Sequence, residues 1–197
     1  MQRYGTLSDA KALARFAHFH QKDKSGEPYI DHPLRVLATV QAQGVKPYVQ
    51  IAAVLHDVPE DTAFSHDVLL QLGFSEAVVE LTRLLDRGYS QEYHRKLIIK
   101  CFGREKWPEG WSDDMRLAWH HPVDDFYYQA IKANRDATII KLADIADNTS
   151  GWRLSYLPEE TQKRLQAKYH KALNILNPPP VNHGMLTDYR HDPFTLR

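Results

Sequence analysis

The run Ile51-Ala52-Ala53-Val54-Leu55 is apolar without a break, and His56, Asp57, Glu60 and Asp61 follow it within a few residues. This junction restricts what the chain can fold into. The run has to be buried, yet its end has to satisfy ionisable groups, and an unpaired charge in an apolar setting is very costly. Either solvent or a metal ion must meet that demand. An imidazole beside a carboxylate suits a borderline divalent cation such as manganese, iron or zinc.

The flanking segments repeat at helical spacing, with no strand-like alternation of useful length and no internal repeat. Ser8 is placed to cap a helix over 9–21, with Leu13, Ala14, Phe16 and Ala17 as its apolar stripe; His18 and His20 on it read as packed or partly exposed. Residues 21–28 are polar and contain Gly26 and Pro28, so they form a loop. Pro33 suits the first residue of a helix that runs to Gln43 and ends at Gly44. A second helix starts near Pro47 and runs into His56 and Asp57, where Pro59 stops it and leaves Glu60 and Asp61 on a turn. Ser65 and Ser75 cap helices over 66–72 and 76–86.

Residues 89–101 also read as helix. From 102 to 124 the pattern gives way to a long ordered loop with Trp107, Trp111, Trp119 and the pair His120-His121, which reads as surface; helical period returns over 125–132. The stretch 137–148 combines Ile139, Ile140, Leu142, Ala143, Ile145 and Ala146, which imply burial, with Lys141, Asp144 and Asn148 on one helical face. A polar stripe on a core helix lines a site or forms a buried ion pair. A last helix spans 158–176, and Pro178-Pro179-Pro180 ends it. The expectation is an all-α bundle over 1–176 with a Pro-containing extension over 177–197.

Lysine plus arginine equals aspartate plus glutamate at 25 each, so the net charge is zero, which argues against a dedicated nucleic-acid or membrane-surface binder. The single cysteine, Cys101, cannot form an intrachain disulfide; with no signal-peptide pattern at the start, this fits a cytoplasmic protein. No apolar run approaches the roughly 18 residues that cross a bilayer. Oligomeric state is left open.

Three separated places supply metal-type ligands: His32, the pair His56-Asp57, and Asp144. Two imidazoles and two carboxylates leave positions for water and substrate on a first-row metal. Glu60 and Asp61 lie just beyond, where a carboxylate can take a proton from attacking water. This is hydrolase chemistry, best suited to a phosphate ester.

The segments Gly26-Glu27-Pro28-Tyr29-Ile30-Asp31-His32-Pro33, Leu55-His56-Asp57-Val58-Pro59-Glu60-Asp61-Thr62 and Lys141-Leu142-Ala143-Asp144 with Asn148 resemble the three signatures of the HD-superfamily hydrolase domain of RelA/SpoT proteins, including small alarmone hydrolases. The resemblance covers about residues 7–176. It implies an HD-domain helical bundle with manganese in its core, held by His32, His56, Asp57 and Asp144. It implies Glu60 and Asp61 as the catalytic pair, Lys22 near the substrate's phosphates, Asn148 near the nucleoside, and added positive charge from Lys141. The implied activity is removal of the 3′-pyrophosphate of (p)ppGpp or a related purine nucleotide, without synthesis. Where the family usually carries an arginine before the Lys22 position this chain has Gln21, which leaves the base open. A phosphomonoesterase or phosphodiesterase on another nucleotide, and a nucleotide sensor without catalysis, are the alternatives.

Overall fold

The fold is a computed structural model that describes residues 5–90, 92, 96 and 127–177. Among these the chain is helical: α1 (Leu7–Ala17), α2 (Asp31–Gln41), α3 (Pro47–Leu55), α4 (Val58–Asp61), α5 (His66–Gln71), α6 (Glu76–Leu85), α7 (Arg135–Asn148), α8 (Gly151–Ser155) and α9 (Glu159–Leu176). Helical backbone also covers 87–90 and 127–132. The described residues contain no strand, only an isolated antiparallel bridge between Lys22 and Pro28. None of the described helices is long and apolar enough to cross a membrane.

Helix α3 is the axis of the bundle. Val49, Ile51, Ala52, Ala53, Val54 and Leu55 are all buried, as expected of a helix that is apolar on every side. It packs against α1, α2, α6 and α7, and α2 lies against α7. Small residues at Ala52 and Ala53 let those neighbours approach. The outer helices contribute single faces: Val36, Leu37 and Val40 from α2, Val78, Val79 and Leu81 from α6, Ile140, Ala143 and Ile145 from α7. The Tyr127 hydroxyl donates to the Leu85 carbonyl at 2.5 Å, which fastens the 127–132 segment to the end of α6.

Several boundaries differ from the sequence expectation, each for a local reason. Helix α1 is capped by Thr6, not Ser8: the Thr6 hydroxyl accepts from the Asp9 amide while the Asp9 carboxylate accepts from the Thr6 amide, a reciprocal capping box. Gly5, just before it, has φ +112°, and a Cβ there would run into the Gly73 carbonyl. The same helix ends at Ala17, and Phe16 points outward, 72% exposed. Helix α2 begins at Asp31, so Pro33 is its third residue; an amide is dispensable there too. Pro59 does not end helical structure, since it falls in the first turn of α4, and Glu60 and Asp61 complete that one-turn helix. On α7, Ala146 is exposed while Ile139 and Leu142 are partly buried. Helix α8 was not anticipated. The expected 102–124 loop with its tryptophans and His120-His121, most of the 89–101 helix, and the tail beyond 177 lie outside the described residues.

Candidate metal centre and its cleft

The three signatures converge although more than a hundred residues separate the first from the last. His32 opens α2, His56 closes α3, Asp57 caps α4, and Asp144 lies in the C-terminal half of α7. His32 and His56 are buried, with 3% and 2% exposure. Ligand atoms of His32, His56 and Asp57 lie within 4.8 Å of one another. Asp57 oxygens stand 3.5 Å from His32 Nε2 and 3.2 Å from His56 Nε2. Asp144 Oδ1 stands 3.1 Å from His32 Nε2 and 3.9 Å from His56 Nε2.

The tautomers are fixed from behind. A carbonyl can only accept, so His56 Nδ1 donates to the Ala53 carbonyl at 2.8 Å and leaves the Nε2 lone pair facing the cluster. That Nε2 is buried and has no hydrogen-bond partner, which is costly unless something occupies the gap. His32 Nδ1 donates to Asp147 Oδ2 at 2.7 Å, a carboxylate–histidine arrangement that aims Nε2 inward and raises its basicity. Two inward imidazole nitrogens and two carboxylates fit a divalent first-row ion.

Charge reinforces the geometry. Burial lowers the pKa of His32, but its bonds to Asp144 and Asp147 and the charge of Asp57 outweigh that and hold it up to about 9. Burial works against ionised Asp144, yet the Lys141 ammonium at 2.7 Å and the two histidines keep its carboxyl well below the usual range. Asn148 Nδ2 donates to Asp144 Oδ1 at 2.5 Å. Lys141 and Asn148 therefore both touch a candidate ligand as well as lining the cleft.

Glu60 and Asp61 stand at the mouth. Partial burial raises both carboxyls, helped by the negative charge of Asp57. Raised carboxyls beside a metal-type cluster are candidates for proton transfer. The Arg87 amide donates to Glu60 Oε2 at 3.2 Å. The Tyr29 hydroxyl reaches Asp57 Oδ2 at 2.8 Å and Asp61 Oδ2 at 2.9 Å; it carries one proton, so it serves one of them at a time. Tyr29, His32, Asp57, Glu60, Asp61 and Asp144 line a cleft of about 460 Å³ whose wall also includes Lys22, Lys24, Arg153 and Lys168.

Gln21 is occupied. Its side-chain nitrogen donates to the Asp61 carbonyl at 2.8 Å, and its Oε1 accepts from His18 Nδ1 at 2.6 Å. His18 is buried and tilts over Tyr29 at 4.8 Å. Sequence reasoning missed His18, Tyr29, Asp147 and Arg153. For Asp147 a signal existed: it stands three residues after Asp144, on the same polar stripe.

A family model for the HD domain matches residues 10–90. A guanosine-3′,5′-bis(diphosphate) 3′-pyrophosphohydrolase of Aquifex aeolicus is 33% identical over 99 residues, 47% of this chain and 14% of that protein. The bifunctional (p)ppGpp synthase/hydrolase SpoT of Escherichia coli is 41% identical over 75 residues, 38% of this chain and 10% of its own length. A Borreliella burgdorferi protein with the same pyrophosphohydrolase name is 28% identical over 160 residues, 81% of this chain and 20% of its own. The chain thus spans 20% or less of each of these relatives. A solved structure described as a metazoan ortholog of SpoT that hydrolyzes ppGpp superposes with a TM-score of 0.59 at 23% identity, covering 87% of this chain and 85% of that one. Residues 10–90 are thus similar to the HD domain, and the described helices share the fold of that solved structure.

Proposed function

We propose that the chain is a metal-dependent phosphohydrolase that removes the 3′-pyrophosphate of (p)ppGpp or a related purine alarmone, with Mn²⁺ as its ion and the cytoplasm as its place of work. The observation that carries this reading is the inward-facing set His32, His56, Asp57 and Asp144 with Glu60 and Asp61 on its rim, in a cleft walled by cationic side chains. The named relatives supply the substrate. The partner is a small nucleotide, not a nucleic acid.

A divalent ion held by His32, His56, Asp57 and Asp144 would supply Lewis acidity and acidify water in the site. Glu60, its carboxyl raised by burial, takes the proton of the attacking water. Asp61 orients that water and is itself steadied by Tyr29. Water adds to the phosphorus on the ribose 3′ oxygen, that P–O bond breaks, the 3′ oxygen takes up a proton and pyrophosphate leaves. Lys22 and Lys24 neutralise the departing anion. Asn148 and the apolar side of the cleft, with Leu157, Leu165 and Tyr169, receive the nucleoside.

A second reading is an HD-type phosphohydrolase on another nucleotide. It is favoured by Gln21, which is bonded to His18 and Asp61 and carries no guanidinium to stack on a purine. The experiment is incubation with ppGpp, its adenine analogue and a nucleotide panel in Mn²⁺, with product identification. GDP and pyrophosphate from ppGpp support the first reading; turnover of another nucleotide alone selects the second. Glu60→Gln should keep the metal and lose most turnover, and an active variant would remove Glu60 from its role.

A further inference from the structure

Two arginines converge on the Asp147 carboxylate, and beyond it they reach different parts of the molecule. Arg35, one turn after His32 on α2, donates from Nε at 2.6 Å and Nη2 at 3.1 Å. The outer face of its guanidinium lies 4.8 Å from the Trp152 ring. Arg153, from the short helix α8, donates from Nη1 to Asp147 Oδ2 at 2.6 Å and to Asn148 Oδ1 at 3.1 Å. Its Nη2 crosses the cleft wall to Asp23 Oδ2 at 3.3 Å.

Asp23 organises the loop it stands in. Its Oδ1 accepts from the Ser25 amide at 2.8 Å, the Ser25 hydroxyl at 2.6 Å and the Glu27 amide at 3.1 Å. The Asp23 amide donates to the Glu27 carbonyl at 2.8 Å. One carboxylate oxygen thus folds the loop, and the other faces Arg153. The side chains of Asp23 and Arg153 are 4% and 12% exposed, a degree of burial at which each charge needs the other. The loop so held carries Lys22 and Lys24 into the cleft.

We infer that Arg153 is a positioning residue that fixes the lysine-bearing loop 22–28 onto the helix bearing Asp144 and Asn148, and so sets the spacing between the anion-binding side chains and the metal cluster. The same guanidinium sets the orientation of the Asn148 amide: with Oδ1 accepting from Arg153, Nδ2 faces Asp144. Arg35 has no contact with the loop and serves His32 through Asp147 alone. The two arginines therefore differ in reach. Arg35 serves only the His32–Asp147 pair, whereas Arg153, whose Nη1 also stands 3.1 Å from His32 Nδ1, joins that pair to the loop. Lysine cannot replace Arg153, because one ammonium cannot span three acceptors on two segments.

This inference rests on the proposed hydrolase function for its kinetic arm only. The test compares Arg153→Ala, Arg153→Lys, Asp23→Asn and Arg35→Lys with the parent protein by three measurements. These are Mn²⁺ affinity by calorimetry, amide hydrogen exchange over 22–28, and kcat and KM on whichever nucleotide the parent turns over. Both Arg153 variants should speed exchange in the loop and raise KM roughly tenfold or more, the loss of one charged hydrogen bond, and should weaken Mn²⁺ as well through the lost contacts to Asp147 and His32. Asp23→Asn should do the same to the loop and to KM, and its combination with Arg153→Lys should add little further. Arg35→Lys should weaken Mn²⁺ and spare the loop. Parent-like exchange over 22–28 in Arg153→Lys, or loop exchange in Arg35→Lys that rises as much as in Arg153→Lys, would overturn the assignment. If the parent turns over no nucleotide the hydrolase reading fails, and loop exchange still decides the role of Arg153.

Discussion

Asp147→Asn is the most informative single change to the metal centre, because it alters no candidate ligand. The carboxylate accepts four bonds: one from His32, two from Arg35 and one from Arg153. An amide of the same shape keeps one acceptor oxygen, loses the charge, and turns an N–H₂ group toward two guanidinium groups and an imidazole N–H. In the metal-free protein this unpairs a largely buried cluster, for which a loss of about 3–5 kcal/mol is typical. The low end applies, since the Arg35 side chain is 33% exposed and water recovers part of its share. For the metal, the second partner of a ligating histidine is worth about 10–100-fold in affinity, or about 1.4–2.7 kcal/mol. Calorimetric titration with Mn²⁺ measures the second figure and urea unfolding in a chelator the first. A variant that unfolds more easily but binds Mn²⁺ as tightly as the parent would refute the argument that Asp147 aims and activates His32.

Other expectations concern protons and packing. Tyr29→Phe removes the donor shared by Asp57 and Asp61, and the lost bond holds the Asp61 carboxyl down. The acid limb of the kcat profile should move to higher pH, with turnover lower by roughly tenfold for one charge-assisted bond; an unmoved limb would detach Tyr29 from catalysis. His32, held up to about 9, lies above its unfolded value of about 6.5. It therefore stabilises the metal-free protein fully below about pH 6.5, and that contribution is lost as pH rises through about 9. Metal has to displace the same proton, so Mn²⁺ affinity should climb by about tenfold per pH unit across that window. Opposite slopes in chelator melts and in calorimetry are the signature, and a flat metal titration would contradict it. Leu69→Ala, in a fully buried site on α5, should cost about 2–5 kcal/mol while Mn²⁺ affinity stays at the parent value; coupled loss of both would mean that the cluster depends on the bundle's global stability.

What the sequence disclosed and what it hid divide along a physical line. Apolar run and period are local, so α3, the caps at Ser65 and Ser75, and the polar stripe of α7 were all legible. The cap at Thr6 was missed because an aspartate fills the third position usually taken by Glu or Gln. In the sequence Pro59 suggests a break, yet the first turn of a helix tolerates a missing amide and Pro59 falls there. The supporting layer was hidden for a different reason. His32 and Asp147 are 115 residues apart, Arg153 and Asp23 are 130 apart, and no periodicity connects them.

The ligands and their supports were thus unequally visible, and the asymmetry has a chemical origin. A metal selects imidazole and carboxylate, which cluster in short signatures because one helix end can present two of them. The groups behind them need only complementary charge, and any element that passes within reach can supply it. Here α8, a helix of five residues that periodicity could not detect, delivers Arg153 to a carboxylate on each side of the cleft. Substrate choice in a cleft of this design follows from how that second layer is wired. Gln21 is bonded to His18 and the Asp61 carbonyl, so under the proposed function the base would be recognised from the α8–α9 side. Substitutions at Leu157, Leu165 or Tyr169 should therefore change which nucleotide is preferred, whereas Gln21→Ala should lower turnover without changing that preference.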